Sequence, residues 1–153
     1  MAVLILAGCG GSGKPNAQLQ TVTGPGFHFQ APPGWKITHT PSAAAASRDS
    51  ELVQVARFKL VHPYTGKLFA RVEGELAARM KVIAQQTGGK VAGTQAVTVN
   101  GVRAHLYDVR TSDHRDQYVF VLIGTREYQL LCRRRTASTE PFCADLLTSF
   151  APA

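Results

Sequence analysis

Charged residues are scarce in this sequence, at 18% of the chain, whereas 44% of the residues are apolar. A wholly disordered chain or an acidic tail has the opposite balance, so both classes are excluded. Acidic residues are the scarcest, because ten Asp and Glu face seventeen Lys and Arg and leave a formal charge of +7. No apolar run approaches the roughly 20 residues of a membrane-spanning helix. The length of 153 residues then predicts one domain with a core of ordinary size.

Catalytic and metal-binding motifs are also missing. No C-x-x-C or H-x₃₋₅-H spacing is present, which argues against a zinc site. No G-x-S-x-G turn presents a serine nucleophile. No nucleic-acid recognition motif accompanies the basic residues. The sequence alone therefore predicts no metal, no cofactor, no nucleic-acid partner and no catalytic residue.

The first nine residues are short and apolar, and they end in small residues before a cysteine. Leu6-Ala7-Gly8-Cys9 resembles the lipobox of bacterial lipoproteins, in which the cysteine receives a diacylglyceryl group and a peptidase cuts before it. The resemblance implies that residues 1–8 are the remnant of a signal peptide and that Cys9 is the lipid attachment site. Targeting signals normally open with Lys or Arg and are longer. We therefore expect the true start to lie upstream of Met1.

Residues 9–25 are rich in Gly, Ser, Pro, Asn, Gln and Thr and carry one charge, Lys14. Such a composition buries too little apolar surface to fold, so we predict a flexible tether over residues 9–25 and a single domain over residues 26–153. A rival interpretation is a phosphate-binding loop, because Gly8–Lys14 matches G-x-x-x-x-G-K. Pro15 stands where such loops have Ser or Thr, and no helix pattern follows, so the tether is the preferred interpretation.

Three cysteines leave an even pair, Cys132 and Cys143, if Cys9 takes the lipid. A disulfide between them would fit an oxidising compartment outside the cytoplasm, as would the lipobox. The alternative is two buried thiols that pack as small apolar groups. We favour the disulfide, because both features then indicate the same compartment.

Alternating and apolar patterns predict three strands in the first third of the domain, namely Phe27–Ala31, Trp35–His39 and Leu52–Val61. Residues 41–50 are small and polar, and we predict a mobile loop there. The period then changes to that of a helix over residues 67–87, with one apolar stripe formed by Leu68, Val72, Leu76, Met80 and Ile83. Gly88-Gly89 ends this helix.

Four more strands are predicted in the second half. Residues 90–99 and 102–109 flank Asn100-Gly101, a two-residue hairpin signal. Residues 118–123 are continuously apolar, which indicates a central strand covered on both faces. Gly124-Thr125 predicts a tight turn into a strand over residues 126–132. A last helix is expected to begin near Ser138 or Thr139 and to bury Phe142, Leu146 and Phe150.

This order predicts an α+β domain, an antiparallel sheet of about six to seven strands flanked by two helices. Phe27-x-Phe29-x-x-Pro32-x-x-Trp35, the helix ending in Gly-Gly, the Asn-Gly hairpin and the closing Ser149-Phe150 resemble the PsbP-like α/β/α sandwich. This fold includes small extrinsic proteins and many actinobacterial lipoproteins. The resemblance covers roughly residues 26–150. It implies binding to proteins or to membrane-associated partners, and it supplies no catalytic residues.

Arg126, Arg133, Arg134 and Arg135 could share one edge of the sheet. Such a patch would bind anionic lipid headgroups or acidic envelope polymers. The alternative is that these side chains only keep the protein soluble or cover apolar surface.

The leading hypothesis is an exported, lipid-anchored protein on the extracytoplasmic face of the cell membrane, acting as a non-catalytic binding or scaffolding module. Its partners would be the membrane, through the lipid, and an envelope protein or an anionic lipid or polymer. The second hypothesis is an envelope enzyme whose site assembles from His105, Tyr107 and Asp113. The third is a cytoplasmic nucleotide binder that uses Gly8–Lys14.

Overall fold

The computed structural model describes residues 18–153. The predictions for the lipobox, for Cys9 and for the Gly8–Lys14 loop lie outside these residues. The described chain forms nine strands and two α-helices, with a short 3₁₀ turn at Gly66–Leu68. In chain order these elements are β1 Gln20–Gly24, β2 Phe27–Ala31, β3 Lys36–His39, β4 Ala43–Arg48, β5 Glu51–Tyr64, α1 Phe69–Gln86, β6 Lys90–Val99, β7 Val102–Arg110, β8 His114–Arg135, α2 Phe142–Ser149 and β9 Ala151–Pro152.

Two antiparallel sheets organise these strands. The large sheet has six strands in the order β3-β4-β5-β8-β7-β6, and the small sheet has the order β1-β2-β9. One face of the large sheet carries α1, and the other face carries α2 together with the small sheet. The predicted α+β class with an α/β/α sandwich is confirmed, whereas the separate three-stranded sheet was not predicted.

The middle of β8 separates two hydrophobic cores. Val119 and Val121 point into the core beneath α2 and the small sheet. Tyr118, Phe120 and Leu122 point to the opposite side and pack beneath α1. Since neighbouring residues of a strand face opposite sides, a strand buried on both faces reads as a continuous apolar run. The prediction that residues 118–123 form such a strand is confirmed.

The predicted turn at Gly124-Thr125 is wrong, because β8 runs unbroken for 22 residues. Gly124 adopts φ +56°, and the β5–β8 register shifts opposite it. Such a bulge changes which residues face each side. Val119 and Val121 face the α2 side before it, and Tyr128 and Leu130 face that side after it. The bulge at Gly124 therefore changes which residues of β8 face each core, and the strand continues through it.

Two segments predicted to be irregular are strands. Residues 43–48, within the predicted mobile loop, form β4, and Ala44 and Ala46 are fully buried. Residues 20–24, within the predicted tether, form β1, so the domain begins earlier than residue 26. Alanine and polar residues have weak strand propensity, and here tertiary packing overrides it. β1 packs against β4, and this close approach requires small side chains.

The helix predictions hold, with one shifted boundary. α1 buries Leu76 and Met80 of the predicted stripe, and Gly88 follows it at φ +70°. The hairpin at Asn100-Gly101 has φ +48° and +77°, as a type I′ turn requires. α2 begins at Phe142 behind Pro141 and not near Ser138, although its predicted apolar face is buried.

The Cys132–Cys143 disulfide is confirmed, with the two Cα atoms 5.5 Å apart. Cys132 lies on β8 and Cys143 is the second residue of α2, so the bond joins the helix to the central strand. Both residues are buried in the larger core. The disulfide therefore holds α2 on the face that also carries the small sheet.

Candidate functional site

A cleft of about 360 Å³ lies between the end of β5 and the first half of α1. β5 creates it where its pairing with both neighbouring strands lapses near its end. Its pairing with β4 ends at Ala56, and the Arg57 amide then donates to the Ser42 carbonyl. Its pairing with β8 is interrupted between Lys59 and Tyr64. Residues 60–63 bulge away from β8 before the ladder resumes at Tyr64 and Gly124, and they form one wall of the cleft, while α1 forms the other.

The floor of this cleft is apolar and its rim carries ion pairs. Leu60, Val72, Leu76 and Leu122 belong to its lining. On the rim, Arg79 donates to the buried carboxylate of Glu127 over 2.7 Å. Arg71 and Glu75 form a looser, exposed pair at 3.7 Å. The cleft lining includes no serine, cysteine or aspartate, so its chemistry suits contact with an apolar group better than nucleophilic attack.

Tyr64 lines both this cleft and a second depression near Gly101 and Arg103. Burial raises the pKa of Tyr64, and the charge of Arg103 partly opposes that shift. The phenol is therefore neutral at physiological pH and can act as a hydrogen-bond donor.

The three residues of the enzyme hypothesis do not come together. His105 and Tyr107 face the same side of β7, whereas Asp113 lies in the turn beyond Arg110. At about 3.3 Å for each residue of strand, the histidine and this aspartate are well over 15 Å apart. Asp113 is exposed, and its carboxylate accepts hydrogen bonds from Thr111 and Ser112. These local hydrogen bonds, the Ser112 bond first, lower the pKa of Asp113.

His105 instead belongs to a stack at the start of α1. Its ring lies 3.8 Å from the ring of Phe69 in a near-parallel arrangement. The guanidinium of Arg103 lies 4.0 Å from the same Phe69 ring. Nε2 of His105 is buried without a hydrogen-bond partner in the described chain. Burial lowers the pKa of His105, an effect that Glu73 partly opposes, so the ring is neutral and packs as an apolar group.

The four arginines predicted as an anion-binding patch have separate surroundings. Arg133 donates two hydrogen bonds, of 2.9 and 2.7 Å, to the fully buried carboxylate of Asp116. This hydrogen bonding raises the pKa of Arg133. Arg135 lies 3.9 Å from buried Glu51. Arg126 and Arg134 have no acidic partner within 4 Å among residues 18–153. Arg133 and Arg135, two members of the predicted patch, therefore pair with buried carboxylates of the same domain.

Arg126 has cationic neighbours that the sequence analysis did not select. Lys59 lies directly opposite Arg126 in the β5–β8 ladder, and Arg57 lies two residues before Lys59. Alternation along a strand places all three side chains on one face of the sheet. The pattern Arg57-x-Lys59 in a predicted strand was a usable signal, because it already places two cations on the same side.

No group of three or more His, Cys, Asp or Glu side chains in residues 18–153 is arranged to hold a metal ion. Within the same residues, neither helix is long and apolar enough to cross a membrane.

The arrangement of layers and sheets resembles solved structures. The solution structure of cyanobacterial PsbP (CyanoP) from Synechocystis sp. PCC 6803 aligns with a TM-score of 0.63 and 15% sequence identity, over 97% of this chain and 99% of that one. The chain has a PsbP-like fold. At this identity the likeness is one of fold, and no residue role follows from it.

A second aligned structure, from Bacteroides thetaiotaomicron VPI-5482, has a TM-score of 0.45 and 8% identity over 84% of this chain and 45% of that one. No family model matches the sequence, and no curated protein matches it either. The alignment with CyanoP agrees with the PsbP-like resemblance drawn from Phe27, Phe29, Trp35 and the Asn-Gly hairpin. The lipoprotein assignment stays a separate prediction.

Proposed function

We propose that this protein is exported, lipid-anchored through Cys9, and acts at the extracytoplasmic face of the cell membrane as a non-catalytic binding or scaffolding module. The observation that carries the proposal is the Cys132–Cys143 disulfide, with Cα atoms 5.5 Å apart. Stable structural disulfides are typical of oxidising compartments outside the cytoplasm. The Leu6–Cys9 sequence supports the same location independently.

Binding is favoured over catalysis by the chemistry of the cleft. Its charged groups are largely paired with one another, as Arg79 is with Glu127. Its floor is apolar, and the lining lacks the serine, cysteine and aspartate side chains that most often serve as nucleophiles. His105 is the histidine of the enzyme hypothesis. Its ring is stacked on Phe69, and the residue lies outside the lining of the cleft.

The test is the intact mass of the native protein from fractionated cells, measured before and after reduction. We expect a membrane-bound species that lacks residues 1–8, carries a diacylglyceryl adduct on Cys9 and gains two hydrogens on reduction. A Cys9→Ala variant expressed in the same cells should lose the adduct and leave the membrane fraction. It should keep the disulfide, because Cys132 and Cys143 are unchanged.

A species in the cytoplasmic fraction that retains residues 6–9 and has three free thiols would overturn the proposal. Nucleotide binding that depends on Lys14 would then be the next measurement.

A further inference from the structure

Three cations meet on one face of the large sheet without an acid to balance them. Lys59 of β5 and Arg126 of β8 are directly opposite in the antiparallel ladder, and Arg57 precedes Lys59 by two residues on the same face. We call these three residues the basic cluster. None of them has a carboxylate within 4 Å in the part of the chain described, residues 18–153.

Elsewhere the same two strands pair most of their charges, with Arg134 of β8 as an exception. On β8, Arg133 pairs with Asp116, and Glu127 pairs with Arg79 of α1. On β5, Glu51 pairs with Arg48. Like charges directly opposite in a sheet, with Cβ atoms about 5 Å apart, are destabilising. Arg115 of β8 also lies opposite a cation, Arg110 of β7, but there Asp108 contacts both guanidinium groups. The basic cluster has no such carboxylate within 4 Å among residues 18–153.

Neighbouring elements leave this cluster at the surface. Lys59 is exposed, and Arg57 and Arg126 are half-buried. The turn between β1 and β2 approaches closely, since a Cβ on Gly26 would collide with the Arg57 guanidinium. This contact restrains Arg57 beside its neighbours. An anion between the three side chains would replace their repulsion with charge-assisted hydrogen bonds.

We propose that the basic cluster of Arg57, Lys59 and Arg126 is a docking surface for the phosphate groups of an anionic phospholipid membrane. Guanidinium and ammonium groups are the protein donors best suited to phosphate oxygens. An apolar neighbour favours a lipid surface over a free phosphate ion. Val61 follows Lys59 by two residues, in the segment that also forms the cleft wall, and its side chain is 91% exposed. A membrane interface can bury such a side chain while its headgroups contact the cations.

This inference deepens the proposed function, because a lipid on Cys9 would hold the domain next to such a surface. The diacylglyceryl group proposed for Cys9 carries two acyl chains, which suffice for stable attachment. The basic cluster would then determine which side of the domain faces the headgroups. The predicted patch of Arg126, Arg133, Arg134 and Arg135 is replaced in this role by a cluster that shares only Arg126 with it.

The test uses the full chain with Cys9→Ser, so that no lipid contributes. Its cosedimentation with phosphatidylcholine vesicles is measured with and without phosphatidylglycerol, at low and at physiological salt. The cluster variant Arg57→Gln/Lys59→Gln/Arg126→Gln is compared with Lys36→Gln/Lys81→Gln/Lys90→Gln, which removes the same charge from three exposed lysines that lack acidic partners within residues 18–153.

We expect binding that requires phosphatidylglycerol and weakens with salt. The cluster variant should lose at least about tenfold in partition coefficient, because each basic residue near an anionic surface contributes substantially. The lysine variant should lose much less. Thermal unfolding should show the cluster variant to be as stable as the parent, or more stable, since a repulsion has been removed.

Equal losses in the two variants would show that only net charge matters and would overturn the assignment. Vesicle binding that does not depend on phosphatidylglycerol would overturn it as well.

The variant Val61→Ser distinguishes a lipid phosphate from a soluble phosphate. Weaker vesicle binding by this variant supports the lipid surface. Unchanged binding, together with displacement by inorganic phosphate, would assign the cluster to a soluble phosphate instead. Because no lipid is attached, a negative result here is distinguishable from a failure of the proposed anchoring, which the mass measurement decides.

Discussion

Asp116 is the most buried charge in the described chain, and one arginine neutralises it. Its side chain has no solvent exposure, and Arg133 contacts both carboxylate oxygens. In a buried pair the desolvation of both ions offsets much of their attraction. Removing one partner therefore costs more stability than the intact pair contributes, because the other charge is left buried without a counterion.

We expect Arg133→Met to destabilise the fold by about 3 kcal/mol, because it leaves the Asp116 carboxylate buried without a counterion. Asp116→Leu combined with Arg133→Met should recover most of this loss, since no charge then remains buried. Urea unfolding measures both, and Arg134→Met is the matched control on the next residue of the strand. A loss as small for Arg133→Met as for Arg134→Met would contradict this account.

His105 makes the stability of the fold depend on pH. Burial lowers the pKa of His105 in the folded state below its ordinary value of about 6.5. Folding therefore favours the neutral ring, so the full contribution is present above about pH 6.5 and is lost as the pH falls towards the folded-state pKa. Glu73 opposes this effect and Arg103 reinforces it.

Urea unfolding at pH 7.5 and at pH 5.5 checks this sign. Between these values the parent should lose more stability than His105→Leu, in which the group that must take up a proton is gone. His62→Leu, a substitution of an exposed histidine, should keep the parent's dependence. An identical loss in the parent and in His105→Leu would show that other groups cause the pH dependence.

At the scale of elements, α2 is attached to the sheet both by a bond and by packing. The disulfide joins Cys143 to Cys132 of β8, and Phe142 packs against Trp35 with ring centroids 4.9 Å apart. A cross-link that closes a loop of this length restricts the unfolded chain more than the folded one.

Removing this bond with Cys132→Ala/Cys143→Ala should lower the unfolding free energy by about 2–3 kcal/mol. Reducing agent should have a similar effect on the parent and none on the double variant. Guanidinium unfolding in the presence and absence of reductant measures this. If reductant also destabilised the double variant, the Cys132–Cys143 bond would not be the source of the effect, and this prediction would be wrong.

Prediction from the sequence succeeded where one element had one clear period. The stripe of α1, the Asn100-Gly101 hairpin and the apolar run at 118–123 each specify their structure locally. It failed at β4, where four alanines form a strand because β3 and β5 pair with it on either side and β1 packs against it. It failed again at Gly124, because a glycine with positive φ serves equally for a turn and for a bulge.

The candidate site was harder to predict than the fold for a related reason. The cleft exists because residues 60–63 of β5 leave the ladder with both neighbouring strands, and strand pairing depends on partners that are distant in sequence. The basic cluster needs the pairing of Lys59 with Arg126, which are far apart in the chain. By contrast, consecutive arginines at 133–135 were conspicuous in sequence, and alternation along the strand separates their side chains.

At the scale of the whole molecule, the two faces of the large sheet differ in how firmly they are held. The core beneath α2 and the small sheet has 21 buried apolar residues and includes the disulfide. The core beneath α1 has eight buried residues, among them Leu76 and Met80, and lacks a covalent link to the helix. Regions with fewer buried contacts open at lower free energy than the global unfolding.

Native-state hydrogen exchange across a denaturant series should therefore show α1 amides exchanging by a partial opening, while amides of β5, β8 and α2 exchange only by global unfolding. Met80→Ala, which removes a fully buried side chain beneath α1, should accelerate exchange in α1 more than elsewhere. Phe29→Ala, in the core on the opposite face, should accelerate every slow amide together.

If α1 amides merged with the global exchange curve at all denaturant concentrations, the two layers would unfold as one unit. The cleft between α1 and β5 would then be a rigid surface, whereas a separate opening of α1 would let the cleft widen without disturbing the disulfide-linked face.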